Sequence, residues 1–191
     1  LNETGRWQAQ RLAEALSEET LHAIYASDLQ RAWETAHYVA QAARAPLRQE
    51  RGLRERGFGR FEGYTFKEIE ARWPDEALRW RQRDADFGPP GGETLRGFYE
   101  RVVRTAERLA AAHRGQTIAL VAHGGVLDCL YRAASRVDLQ APRTWQLGNA
   151  SINRLLHTDE GFTLVGWADT MHLAHSGRDE FSDGDRLGRA A

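Results

Sequence analysis

Apolar residues recur at helical spacing from the start of the chain. Ala9, Leu12, Ala13 and Leu16, behind Asn2 as a candidate N-cap, predict a first helix. The short apolar run 21–26 predicts a strand. Ser27 and Asp28 then offer a cap to a second helix that buries Leu29, Ala32, Trp33, Ala36, Val39 and Ala40 and is ended by Pro46. An extended piece around Leu47 leads into the charged stretch 51–57. Thr65 with Glu68 forms a capping box for a short helix reaching Trp73 and Pro74, and residues 87–92 are a loop by composition. The clearest helix spans 94–113, with Leu95, Phe98, Tyr99, Val102, Val103, Ala106, Leu109 and Ala110 on one stripe and Arg and Glu opposite. Residues 117–122 are continuously apolar, as a parallel strand covered on both faces reads, and end at His123-Gly124-Gly125. A helix through Val126, Leu127, Leu130 and Tyr131 follows, then two strand-like stretches at 151–157 and 162–167. This alternation predicts an α/β fold with a mainly parallel central sheet and helices on both faces. With no repeat or linker, 1–191 reads as a single domain closing in a weakly structured polar tail, 176–191.

Charge changes this picture little. Lys+Arg of 26 against Asp+Glu of 27 leaves a net charge of -1, which argues against a nucleic-acid partner or a polybasic membrane anchor. The basic residues are nearly all Arg, Lys67 being the only lysine; this suits bidentate phosphate or carboxylate contacts, and a GC-rich coding sequence gives the same bias. The lone Cys129 excludes an internal disulfide and any multi-cysteine metal site, and on an apolar helix it reads as buried and inert. No apolar run approaches a membrane span and no signal pattern opens the chain, so the expected compartment is a reducing cytoplasm.

Open parallel sheets bind ligands beyond the carboxyl ends of their strands, and His123 falls there. The two glycines after it would let a ligand approach the backbone, and the amides opening the next helix favour an anion. Taken alone, His123 reads equally as a capping or core residue. Arg31 and Thr35, at i and i+4 off the apolar stripe, are either a ligand face or solvated surface. Glu55 sits among arginines in what reads as a solvated loop or a carboxylate with a task. Gly57 and Gly59 with Gly63 miss the dinucleotide fingerprint by one position, and no P-loop pattern exists. His172 and His175 read as surface histidines before a metal pair, and His22, His37, His113 and His157 as scaffold or surface.

Together these pieces resemble a known family. Residues 27–36 (Ser-Asp-Leu-Gln-Arg-Ala-Trp-Glu-Thr-Ala), Leu53-Arg54-Glu55 with 58–63, Pro90-Gly91-Gly92-Glu93-Thr94, Val121-Ala122-His123-Gly124-Gly125 and Asn149-Ala150-Ser151-Ile152 are similar, in order, to the motifs of the histidine phosphatase (phosphoglycerate mutase-like) superfamily. That family opens with a strand carrying an Arg-His-Gly motif whose histidine takes the phosphoryl group. The motif does not occur in these 191 residues, and residues 1–5 look like the segment that follows it. The expectation is a sequence that starts just downstream of its own nucleophile and lacks an interior strand of the sheet, which would leave strand edges unpaired.

The resemblance implies a metal-independent phosphomonoesterase that works through a phosphohistidine, with no cofactor. Arg31 and His123 would clamp the phosphate, Gly124 would bind substrate through its backbone, and fixed Arg and His charges would do the work of a metal. Glu55 would be the general acid and base, with a raised pKa. The short Arg-rich stretch 62–91 resembles the phosphatase branch. Within it, Arg79, Arg81 and Arg83 read as a solvated helix face before a substrate site, and Trp73 and Trp80 either line the pocket or pack. The alternatives are mutase-type phosphoryl transfer and, if the nucleophile is absent, a non-catalytic phospholigand-binding relative. A small phosphorylated substrate is the expected partner, with no nucleic acid or membrane; the oligomeric state stays open, a homodimer included.

Overall fold

The computed structural model describes residues 1–174. In chain order the elements are α1 (Glu3–Leu16), β1 (Ala23–Ala26), α2 (Gln30–Ala43), β2 (Leu47–Gln49), 3-10 turns at Arg51–Leu53 and Gly59–Phe61, α3 (Phe66–Arg72), α4 (Pro74–Arg81), α5 (Leu95–Ala112), β3 (Ile118–Val121), α6 (Gly124–Ser135), β4 (Ile152–Thr158), β5 (Gly161–Asp169) and a final 3-10 turn at Met171–Leu173. Three strands form a parallel sheet in the order β2-β1-β3.

Side chains alternate across the central strand, so β1 divides the core in two. Ala23 and Tyr25 face Phe98, Val102, Ala106 and Leu109 of α5 and Val126, Cys129 and Leu130 of α6. Ile24 and Ala26 face Leu12 of α1 and Ala36 and Val39 of α2. The sheet thus carries helices on both faces, as the alternation of strand and helix predicts. A third cluster, Phe61, Ile69, Ala77 and Phe87 with Trp73 and Trp80 against it, lies apart under α3 and α4.

Helix ends follow local chemistry. The Asn2 side chain accepts the Gly5 amide at 2.7 Å, and Thr65 and Glu68 complete the expected capping box. Pro74 stops α3 where the expected short helix ends and also opens α4, the helix that carries Arg79 and Arg81, at its first turn. The second helix departs from expectation. Its N-cap is Leu29 with no side-chain cap, because Ser27 and Asp28 turn their oxygens elsewhere. Two strand expectations also shift. β3 is half-buried along its length rather than covered, since it pairs with β1 on one edge and has no partner on the other among the described residues. β4 and β5 form a separate antiparallel hairpin. The hairpin is held to α6 by Leu155 and Phe162 and by Tyr131, which meets Trp167 edge-on and stacks on Trp145.

No helix among the described residues is long and apolar enough to cross a membrane. His175 and the stretch 176–191 lie outside the described residues. His172 alone of the proposed histidine pair can be placed: its Nε2 lies 3.0 Å from the Ala150 carbonyl.

Candidate active site

Parallel pairing of β1 with β3 brings two strand ends to the same edge of the sheet, and with them Ser27 and His123. Ser27 is fully buried, His123 nearly so, and the serine Oγ lies 2.8 Å from the histidine Nε2. The same Oγ accepts the Leu29 amide at 3.3 Å, which explains why Ser27 does not cap α2. Asp28 is spent differently: its two carboxylate oxygens accept Arg54 Nε at 2.6 Å and Nη2 at 2.5 Å. This fork joins the β1–α2 loop, which leads into the turn of α2 carrying Arg31, to the segment that carries Glu55.

Glu55 follows the 3-10 turn at 51–53. One carboxylate oxygen accepts the Arg56 amide at 2.9 Å and the other accepts the Gly125 amide at 3.0 Å, in the first turn of α6. Burial pushes its pKa up, against the opposing pull of the two amides and of Arg31. Gly125 has a definite reason to be glycine here: a Cβ would collide with the Glu55 carboxylate. The two-glycine signal was read as room for a ligand; at Gly125 the room is taken by the protein's own carboxylate. Gly124 differs, since a Cβ there would touch only Leu147, at 4.0 Å.

Arg31 stands on the first turn of α2, half-exposed. Its guanidinium has no hydrogen-bond partner among the described residues, while its charge is felt by both Glu55 and His123. Thr35, paired with it in the sequence, is not beside it as a ligand donor, because its hydroxyl donates to the Arg31 carbonyl at 3.0 Å. His123 departs from the expectation of a charged ring. Desolvation, with Arg31 and Arg101 adding like charge, lowers its pKa from 6.5 to about 3. At neutral pH in the free protein it is therefore a neutral hydrogen-bonding group.

The structure thus brings Arg31, Glu55, His123 and the amides opening α6 to one edge of the sheet, and gives Ser27, expected as a helix cap, and Gly125, expected as room for a ligand, other parts in it. It does not add Arg79, Arg81 or the tryptophans. Arg79 pairs with Asp84 and Arg81 with Glu70, at 2.8 and 2.6 Å, and Trp73 and Trp80 pack on Phe61. Arg83 is neither solvated nor aimed at a ligand: it donates to Asp128 at 3.0 Å and to the Leu139 carbonyl at 2.8 Å. Cys129 is buried at the base of α6, where desolvation pushes its thiol well above the usual range.

Comparison with known proteins identifies the family. The family described as "Histidine phosphatase superfamily (branch 1)" matches residues 1–170. Among curated proteins the chain is 37% identical over 183 residues to "Phosphoglycerate mutase-like protein 4" of Arabidopsis thaliana, covering 93% of this chain and 77% of that one. It is 34% identical over 181 residues to "Metal-independent phosphoserine phosphatase" of the same plant, covering 93% and 74%. Among solved structures, Bacillus stearothermophilus YhfR superposes with a TM-score of 0.82 at 29% identity, covering 91% of this chain and 86% of that one.

Proposed function

We propose, since this chain belongs to the histidine phosphatase superfamily, that it hydrolyses small phosphate monoesters without a metal, through a phosphohistidine intermediate, in a reducing cytoplasm. The observation that carries the reading is the seat of Glu55: a carboxylate drawn out of water, held by two backbone amides and pushed toward its protonated form, beside an arginine without a hydrogen-bond partner among the described residues and a neutral histidine. A relative named as a metal-independent phosphoserine phosphatase, aligned over most of the chain, supports the same class of reaction.

In this scheme the ester phosphate sits over the amides opening α6, where the helix terminus favours negative charge. Arg31 offers its free guanidinium to the phosphoryl oxygens, and His123 offers a hydrogen bond; a bound dianion raises the His123 pKa and strengthens that bond. The nucleophile is the imidazole that the family carries in its Arg-His-Gly motif. Its nitrogen forms a bond to phosphorus as the bond from phosphorus to the ester oxygen breaks, and the Glu55 proton goes to the leaving alkoxide. Glu55, now ionised, takes a proton from the incoming water. That water forms the new phosphorus–oxygen bond, the nitrogen–phosphorus bond breaks, and phosphate leaves with the imidazole restored.

The test is phosphate release by the full-length protein from a panel of small phosphate monoesters, in the presence of EDTA, with product analysis. Free phosphate, together with an acid-labile and base-stable phosphoenzyme, is the expected result. Transfer of phosphate between hydroxyls without release would assign a mutase. Binding of vanadate without turnover would assign a phospholigand-binding protein.

A further inference from the structure

Among the described residues the carboxylate of Glu55 receives hydrogen bonds only from backbone amides, so its position is set by where the neighbouring backbone lies. Beside the Asp28–Arg54 fork and Arg56, whose guanidinium donates to the Glu93 and Phe87 carbonyls at 2.9–3.0 Å, one further ion pair holds that backbone from outside. Arg101, on α5, gives Nε and Nη2 to the two carboxylate oxygens of Glu93 at 2.8 and 2.7 Å. Its Nη1 donates to the carbonyls of Gly52 and Arg54 at 2.8 and 3.1 Å, and Nη2 also reaches the Glu55 carbonyl at 3.4 Å. Glu93 accepts the Gly57 amide at 2.9 Å. Residue 55 is therefore tied on both sides to one fork-to-fork pair, 46 residues away in sequence at Arg101 and 38 at Glu93. Only a planar guanidinium has donors enough for a bidentate carboxylate and three carbonyls at once; an ammonium supplies three, in the wrong directions.

We propose that Arg101, locked by Glu93, is the positioning residue for Glu55, and that it sets how well Glu55 protonates the leaving group without touching substrate itself. This rests on the general-acid reading of Glu55, and the experiment separates the two. In the full-length protein, kcat/KM is measured for p-nitrophenyl phosphate, whose leaving group departs without a proton, and for an alkyl phosphate such as glycerol 3-phosphate, whose leaving group needs one. Because kcat/KM reports the step in which the ester bond breaks, the ratio of the two values reads proton delivery.

In Arg101→Lys, which keeps the charge and loses the fork, the expected loss is about tenfold or more on the alkyl ester with a much smaller change on the aryl ester, as a misplaced group gives. Glu93→Gln is expected to shift the ratio the same way and less. Equal losses on both esters, or none, would overturn the proposal, since a merely structural contact lowers both together. Thermal melting accompanies each variant, and if Arg101→Lys does not fold the Glu93→Gln ratio decides in the same sense. Glu55→Gln is the reference: a selective loss there with none in the Arg101 and Glu93 variants overturns the positioning role alone, whereas no selective loss in Glu55→Gln overturns the general-acid reading and this proposal with it.

Discussion

Around Glu55 and His123 ionisable groups are taken out of water and held by directed bonds; in the aromatic layer of residues 58–87 the guanidinium groups of Arg60, Arg79 and Arg81 stay partly exposed and lie over rings. At the sheet edge Glu55 has two amides, His123 has Ser27, and Asp28 has both prongs of Arg54. In the aromatic layer Arg60 lies 4.7 Å over Trp73, Arg79 4.9 Å over Phe87 and Arg81 5.0 Å over Phe66, around the buried ring of Phe61. The first arrangement costs stability through desolvation and holds a carboxyl group and an imidazole in fixed places. The second stabilises by burying ring area while the arginine stems cover it. Both regions are rich in arginine, so composition does not tell them apart; how far the charged groups are withdrawn from water does.

The contrast breaks most visibly in the aromatic layer. Phe61→Ala, which empties a fully buried ring site, is expected to cost about 3–5 kcal/mol in urea unfolding. The ratio of alkyl to aryl ester hydrolysis should not move. Gly125→Ala should do the reverse: by pushing on the Glu55 carboxylate it is expected to lower kcat/KM on an alkyl phosphate about 100-fold, roughly 2.7 kcal/mol, with a smaller loss on p-nitrophenyl phosphate.

Next in size is a pH effect with two signs. The folded His123 value of about 3 lies below its ordinary 6.5, so the unfolded chain takes up the proton first and stability falls as pH drops from 6.5 toward 3. The folded Glu55 value is raised, so its contribution is complete below 4.5 and is lost as pH rises through the folded value. Immediately above pH 4.5 the two oppose. His123→Gln should flatten the acid loss by about 1 kcal/mol per pH unit, and Glu55→Gln should steepen it, both read from denaturant midpoints across pH. The smallest effect belongs to the surface: Arg81→Ala, which breaks an exposed pair with Glu70, should cost less than about 1 kcal/mol and leave kinetics alone.

What was legible in the sequence follows the same division. The stripe of α5, the Thr65–Glu68 capping box, the Asn2 cap and the strand that ends at His123 are local patterns, and each was read from neighbours three or four positions apart. The polar face of α5 carries equal information in a form that periodicity does not decode. It reads only as Arg and Glu opposite the apolar stripe, yet Arg101 holds the backbone at 52–55, Arg108 pairs with Glu50, and Thr105, which that reading does not single out, packs so closely on Gly52 that a Cβ there would not fit. Ser27 was taken for a cap because a serine before a helix usually is one; its bond to His123 joins residues 96 apart and leaves no mark in the local pattern. The directed bonds that define the candidate site are long-range, and hydrophobic spacing records burial only.

The central claim is that Glu55 delivers the proton to the leaving group, and the most direct measurement is the dependence of log kcat/KM on leaving-group pKa for a series of phosphate monoesters, in the full-length protein and in Glu55→Gln. A carboxylic acid poised at the departing oxygen predicts a shallow dependence in the parent and a steep fall with rising leaving-group pKa in the variant, so that the two lines converge at the most acidic phenols. Parallel lines, with Glu55→Gln slower by the same factor on every ester, would contradict it.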